Sequence, residues 1–159
     1  MTTSGNVDQL AHDLVRKLIQ SGRTLSTAES LTGGLISAAI TSVPGASKIF
    51  CGGVIAYSVA VKVDLLGVSQ DDLSHGVVSE QVAIAMAQGA MKASGSDLAL
   101  SCTGVAGPGP QDGMAPGTVW VACASNSQLK TDFLQLSGDR EVVRTQTVVE
   151  ALSLAINMV

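Results

Sequence analysis

Aromatic side chains are scarce in this chain: Phe50, Tyr57, Trp120 and Phe133 make up 3% of its 159 residues. Four scattered rings form no base-stacking platform. A basic excess is missing too. Nine Lys plus Arg stand against thirteen Asp plus Glu, a formal net charge of −4, which argues against a general binder of nucleic acid polymers. Long apolar runs are absent. Stretches such as Gly34-Leu35-Ile36 or Ile49 to Ala56 fall far short of the roughly 18 residues that a membrane span requires, so no membrane partner is expected. The segment from Met1 to Gln9 has no basic stretch followed by an apolar core; no secretory leader and a cytoplasmic location are expected. Histidine is limited to His12 and His75, and cysteine to Cys51, Cys102 and Cys123, with no close Cys/His cluster. A zinc site is therefore not expected. An odd number of cysteines in apolar, strand-like stretches reads as small buried hydrophobes rather than a disulfide framework.

Apolar residues are plentiful. They make up 46% of the chain against 14% charged, far too apolar a balance for intrinsic disorder. Val7, Leu10, Ala11, Leu14, Val15, Leu18 and Ile19 recur at helical spacing until Gly22. Short strands are expected at 25–29, 49–57 and 98–102, with a hairpin at 119–124 and 129–136 around Ser125-Asn126-Ser127. Helical segments are expected at 35–42, 59–66, 79–93 and after Asp139, with loops at 67–78 and 103–117. Helices alternate with buried strands, without repeats or linker. The expectation is a single three-layer α/β/α domain over 1–159 around a mixed, mostly parallel sheet. So apolar and charge-poor a chain has surface to hide, and a homo-oligomer is expected.

Three segments combine residue types that suit chemistry. Thr27-Ala28-Glu29-Ser30-Leu31-Thr32-Gly33-Gly34 runs from a strand end into a helix start, where free N–H groups favour negative charge. It suits a phosphate, an oxyanion beside a serine nucleophile, or simply a cap and a tight connection. A serine nucleophile needs a base. His12 and His75 lie away from the strand ends, while Lys62 follows the second strand on an apolar turn; it is either a lysine reaching solvent or one made basic by burial. The second segment, Thr103-Gly104-Val105-Ala106-Gly107-Pro108-Gly109-Pro110, leaves a central strand where open α/β sheets bind ligands; a hinge or surface loop is the plainer reading. It fits neither the phosphate-loop nor the dinucleotide fingerprint. In the third, Arg140 and Arg144 share a face at a helix start. Their charges call for an anion, supplied by Asp139 or Glu141, or by a bound phosphate.

Together, Thr27-Ala28-Glu29-Ser30-x-Thr32-Gly33-Gly34, Gly53-Val54-Ile55-Ala56-Tyr57-Ser58 with Lys62 and Leu65-Leu66-Gly67-Val68, Thr103-Gly104-Val105-Ala106-Gly107-Pro108 with Gly117-Thr118-Val119, and Gly138-Asp139-Arg140 with Arg144 resemble the CinA C-terminal domain family. The match runs in order along nearly the whole chain. The resemblance implies a nicotinamide-nucleotide amidase of NAD recycling, which converts nicotinamide mononucleotide to nicotinic acid mononucleotide and ammonia. It implies Ser30 as nucleophile, Lys62 as base and Tyr57 beside them. It also implies an oxyanion held by N–H groups near Thr32 to Gly34, Thr103 and Gly104 in the pocket, Arg140 and Arg144 for the phosphate, and Glu29 as support. The only partner implied is the small nucleotide substrate, with no metal or other cofactor.

This chain departs from the family pattern in three places. Leu31 stands where the pattern commonly has Cys, and Ser58-Val59-Ala60-Val61 is unusually apolar. Pro108-Gly109-Pro110-Gln111-Asp112-Gly113-Met114-Ala115-Pro116 lacks the common Gly pair and a lysine before the proline. The altered loop leaves a second reading open, a catalytically silent nucleotide-binding or scaffold module of the same fold.

Overall fold

The computed structural model describes residues 3–159; Met1 and Thr2, where the segment read for a leader begins, lie outside the described residues. The elements in chain order are α1 (Thr3–Ser21), β1 (Leu25–Glu29), α2 (Leu35–Thr41), β2 (Phe50–Ile55), α3 (Val59–Leu66), α4 (Gln70–Ser74), α5 (Glu80–Ser94), β3 (Leu98–Gly104), β4 (Thr118–Ser125), β5 (Leu129–Gln135) and α6 (Arg140–Ile156). The strands form one mixed sheet in the order β2-β1-β3-β4-β5. The first three are parallel, and β4 and β5 each run antiparallel to the preceding neighbour. Helices cover both faces, as the alternation of patterns predicts.

Strand alternation sends side chains to two different cores. Leu25, Leu98, Leu100, Val119 and Val121 face α1, α2 and α6. On the other face, Ala28, Ala99, Ala122 and Ala124 meet α3 and α5. Small side chains there let α5 lie close to the sheet. The approach continues outward: a Cβ at Gly89 of α5 would collide with the Leu66 carbonyl of α3. Helix α3 is thereby pressed inward, with Lys62 on its buried side.

Two expectations need correction. The 67–78 segment is not all loop. Ser69 and Asp72 form a capping box that starts α4, and this five-residue helix has one apolar residue, Leu73, too few to show a helical period. Cys51 is exposed, unlike buried Cys102 and Cys123, because β2 is an edge strand whose alternate residues face outward. Burial pushes the thiol pKa of Cys102 up to about 11 and that of Cys123 to about 12.

Between β1 and β3 the chain leaves the sheet in opposite senses, to α2 after β1 and to β4 after β3. Open α/β sheets bind ligands at such a point, beyond the carboxyl ends of the parallel strands. Ser30 follows β1, Tyr57 follows β2, and Thr103 and Gly104 end β3.

Candidate active site

Ser30 opens a turn that is secured from three sides. Its N–H donates to the Cys102 carbonyl at 3.2 Å, and its own carbonyl accepts from Gly33 N at 3.0 Å. Below the turn lies Glu29, fully buried. The Glu29 carboxylate accepts from Thr32 Oγ1 (2.7 Å), Gly34 N (3.0 Å), Ile36 N (3.0 Å), Ser37 N (2.8 Å) and Ser37 Oγ (2.6 Å). Five donors and no acceptor face its oxygens, an arrangement that an ionised carboxylate satisfies. From the third side, Arg144 of α6 donates from Nε to the Leu31 carbonyl and from Nη2 to the Thr32 carbonyl, both at 3.0 Å. Gly33 and Gly34 have φ of +60° and +102°, conformations that glycine adopts without strain.

This geometry divides the residues expected at the site between the cavity and the turn behind it. Glu29, Thr32, Gly33 and Gly34 stand behind or within the turn, outside the lining of the cavity that Ser30 and Lys62 share. The N–H groups of Gly33 and Gly34 already donate to Ser30 O and Glu29 Oε2. They are not free for an oxyanion. Among the described residues, several that line the cavity have N–H groups without a hydrogen-bond partner, and Leu31, next to Ser30, and Ala106 are two of them. Arg144 is also outside that lining, with two of its donors committed to the turn. Backbone carbonyls, rather than an anion, accept from the Arg144 guanidinium, while Asp139 caps α6 through Val142 N at 2.9 Å.

On the face opposite Glu29, Lys62 Nζ donates to Ser30 Oγ at 2.9 Å and to the Ala56 carbonyl at 2.6 Å. Lys62 is 1% exposed, so the reading of a lysine reaching solvent fails. Burial draws its pKa down from 10.5 to about 8, with Cys102 acting in the opposite direction. At pH 7 about a tenth of the amine is therefore uncharged, the form that can take a proton. Both histidines are exposed, outside the cavity lining.

The shared cavity has a volume of about 250 Å³. Its lining includes Ser30, Lys62, Tyr57, Thr103, Gly104 and Arg140, together with apolar Leu31, Val59, Val77, Val78 and Ala106. Thr103 Oγ1 donates to the Val77 carbonyl at 2.9 Å, which positions the 67–78 segment as a wall. Arg140 spans the rim, donating to Tyr57 Oη at 2.8 Å and to the Gly107 carbonyl at 2.9 Å. Asp112, within the loop that departs from the family pattern, is the one carboxylate in the lining. Sequence reasoning did not single it out, because an Asp-Gly pair reads as a turn. Among the described residues, no group of three or more His, Cys, Asp or Glu is gathered as for a metal ion, and no helix is long and apolar enough to cross a membrane.

Residues 7–159 match the model of the CinA C-terminal domain. The chain belongs to the CinA C-terminal domain family. A CinA-like protein of Synechococcus sp. is 48% identical over 153 residues, covering 92% of this chain and 36% of that protein. A putative competence-damage inducible protein of Desulforamulus reducens is 44% identical, covering 87% of this chain and 34% of its own length. The chain thus spans about a third of these CinA relatives. Solved structures match end to end. A CinA superfamily competence-damaged protein from Escherichia coli aligns with a TM-score of 0.94 at 32% identity, covering 100% of this chain and 94% of that one. The competence/damage inducible protein CihA from Agrobacterium tumefaciens gives 0.90 at 34% identity, with 96% of each chain covered. CinA membership and the α/β fold therefore rest on both sequence and structure.

Proposed function

We propose that this CinA domain is a nicotinamide-nucleotide amidase, hydrolysing nicotinamide mononucleotide to nicotinic acid mononucleotide and ammonia in NAD recycling. The observation that carries the reading is the 2.9 Å contact between Lys62 Nζ and Ser30 Oγ in a buried setting. Neutral Lys62 takes the Ser30 proton as Oγ attacks the carboxamide carbon. The tetrahedral oxyanion is met by the unpartnered N–H groups of Leu31 and Ala106. Lys62 then gives the proton to the leaving nitrogen, the C–N bond breaks, and ammonia departs. Water, deprotonated by the same amine, attacks the acyl-enzyme and releases the carboxylate with Ser30 restored. No redox partner enters this balance.

Arg140 is the cation available to the substrate phosphate at the rim, and Tyr57 lies beside it against the ring. Thr103 and Gly104 complete the wall. The reading extends to a cytoplasmic enzyme that works as a homo-oligomer. A silent binding module is the alternative favoured by the altered 108–116 loop, but such a module has no use for a lysine whose pKa is drawn down beside a serine. Purified protein incubated with nicotinamide mononucleotide is expected to release ammonia and nicotinic acid mononucleotide, and Ser30→Ala to release neither. Equal release from Ser30→Ala, or none from the wild type, overturns the proposal.

A further inference from the structure

We propose that Asp112 is a specificity-determining residue that selects a cationic ring, so that with Arg140 the cavity sorts the two ends of a zwitterionic nucleotide. This rests on the amidase reading and names what that site chooses: a pyridinium carboxamide over its neutral dihydropyridine counterpart.

Three charged side chains line the cavity, and two of them are committed. Lys62 is engaged with Ser30 and the Ala56 carbonyl. Arg140 is held at the rim by two neutral acceptors, Tyr57 Oη and the Gly107 carbonyl, and keeps its charge available to an anion. Asp112 has no hydrogen bond, and no cation lies within 4.0 Å of it; among the described residues the one ion pair is Arg16–Asp13.

The free carboxylate sits on a braced support. Gln111 and Met114 exchange backbone hydrogen bonds at 3.0 and 2.9 Å, and Asp112 and Gly113 between them have φ of +50° and +76°. Positive φ at both central residues is the type I′ pattern of a tight hairpin. The base of the loop is tied by Arg140 to Gly107 O on one side. On the other, Gly117 N donates to Val105 O at 2.7 Å and Leu136 N to Gly117 O at 2.9 Å. The turn itself has no need of the negative charge, since Asn-Gly serves a type I′ turn equally well.

A pyridinium nitrogen bonded to ribose has no N–H to donate. Recognition of its charge has to be electrostatic, and an exposed carboxylate in the cavity lining with no cation of its own supplies that. The dihydropyridine ring has the same outline and carboxamide but no charge, so Asp112 gives it no such attraction.

The test compares kcat/KM for nicotinamide mononucleotide with that for its 1,4-dihydro form, in the wild type, Asp112→Asn and Asp112→Lys. The wild type is expected to favour the pyridinium form. That preference should fall about fivefold in Asp112→Asn, the upper end for an exposed charge pair, and further in Asp112→Lys. Added salt should shrink the wild-type preference. Calorimetric binding of both nucleotides to Ser30→Ala separates this inference from the amidase reading. Binding that favours pyridinium through Asp112, without turnover in the wild type, supports the inference and overturns the amidase. Turnover with the same preference in Asp112→Asn overturns the inference and leaves the amidase standing. No turnover and no binding overturns both.

Discussion

The turn from Ser30 to Gly34 and the loop over 105–117 border the same cavity and are built in opposite ways. In the turn, the backbone groups of Ser30, Gly33 and Gly34 and the Leu31 and Thr32 carbonyls are tied down, by Glu29 below, Arg144 from α6 and Cys102 from β3, and the Leu31 N–H is left open. The loop is tied at its base and open at its tip, where Asp112 faces the cavity unpartnered. A nucleophile must be held still, and a hydrogen-bonded charge such as Glu29 contributes about 1.5–3 kcal/mol per bond toward that. Substrate choice is better placed where the chain can vary without disturbing the chemistry. On the proposed amidase reading, the turn is expected to set rate and stability, and the loop and rim to set which ligand binds.

Removing the base gives the largest expected effect. Lys62→Met should lower turnover by about a thousandfold, within the usual range for losing a general base, and should raise the melting temperature at neutral pH. The folded pKa of about 8 lies below the ordinary 10.5, so the unfolded chain holds the proton more tightly. Burial of the charged amine thus destabilises the fold fully below about pH 8, and the penalty fades as pH rises toward 10.5. The gain from Lys62→Met is at most about 3 kcal/mol at neutral pH and should vanish in melts above about pH 10.5. A lower melting temperature at pH 7 would show that the lysine supports the fold.

A medium effect should separate turn from rim. Glu29→Gln turns an amide NH2 toward donors that the carboxylate now accepts from, and Arg144→Ala frees the Leu31 and Thr32 carbonyls. Each should lower kcat by roughly ten- to a hundredfold, with a loss of about 1–3 kcal/mol in stability and little change in KM. Arg140→Ala should do the reverse, raising KM for the phosphorylated substrate relative to its riboside about tenfold while kcat holds. Steady-state kinetics with both substrates, alongside thermal melts, checks the pattern. If Arg144→Ala moved KM alone, the division between turn and rim would collapse.

Much of this was legible in the sequence because the relevant signals are local. Alternation and helical spacing mark the strands and long helices, and Ser30 and Lys62 stand out at a strand end and on an apolar turn. What escaped was set by tertiary direction. Nothing in the Arg140/Arg144 spacing says that one guanidinium turns inward to carbonyls 112 and 113 residues away while the other bridges to Tyr57. Glu29 and Ser30 are adjacent in sequence but serve opposite faces of the sheet, so a motif that includes both cannot tell support from chemistry. Asp112 was hidden by a turn that would form with either Asp or Asn.

The proposed role of buried Lys62 as the base for Ser30 is read from the pH dependence of kcat/KM for nicotinamide mononucleotide. Between about pH 6 and about pH 10 the rate should climb tenfold per pH unit and level off near pH 8, as the amine loses its proton. A profile that is flat over this range, or that levels off near the ordinary histidine value of about 6.5, would contradict the Ser30–Lys62 pair.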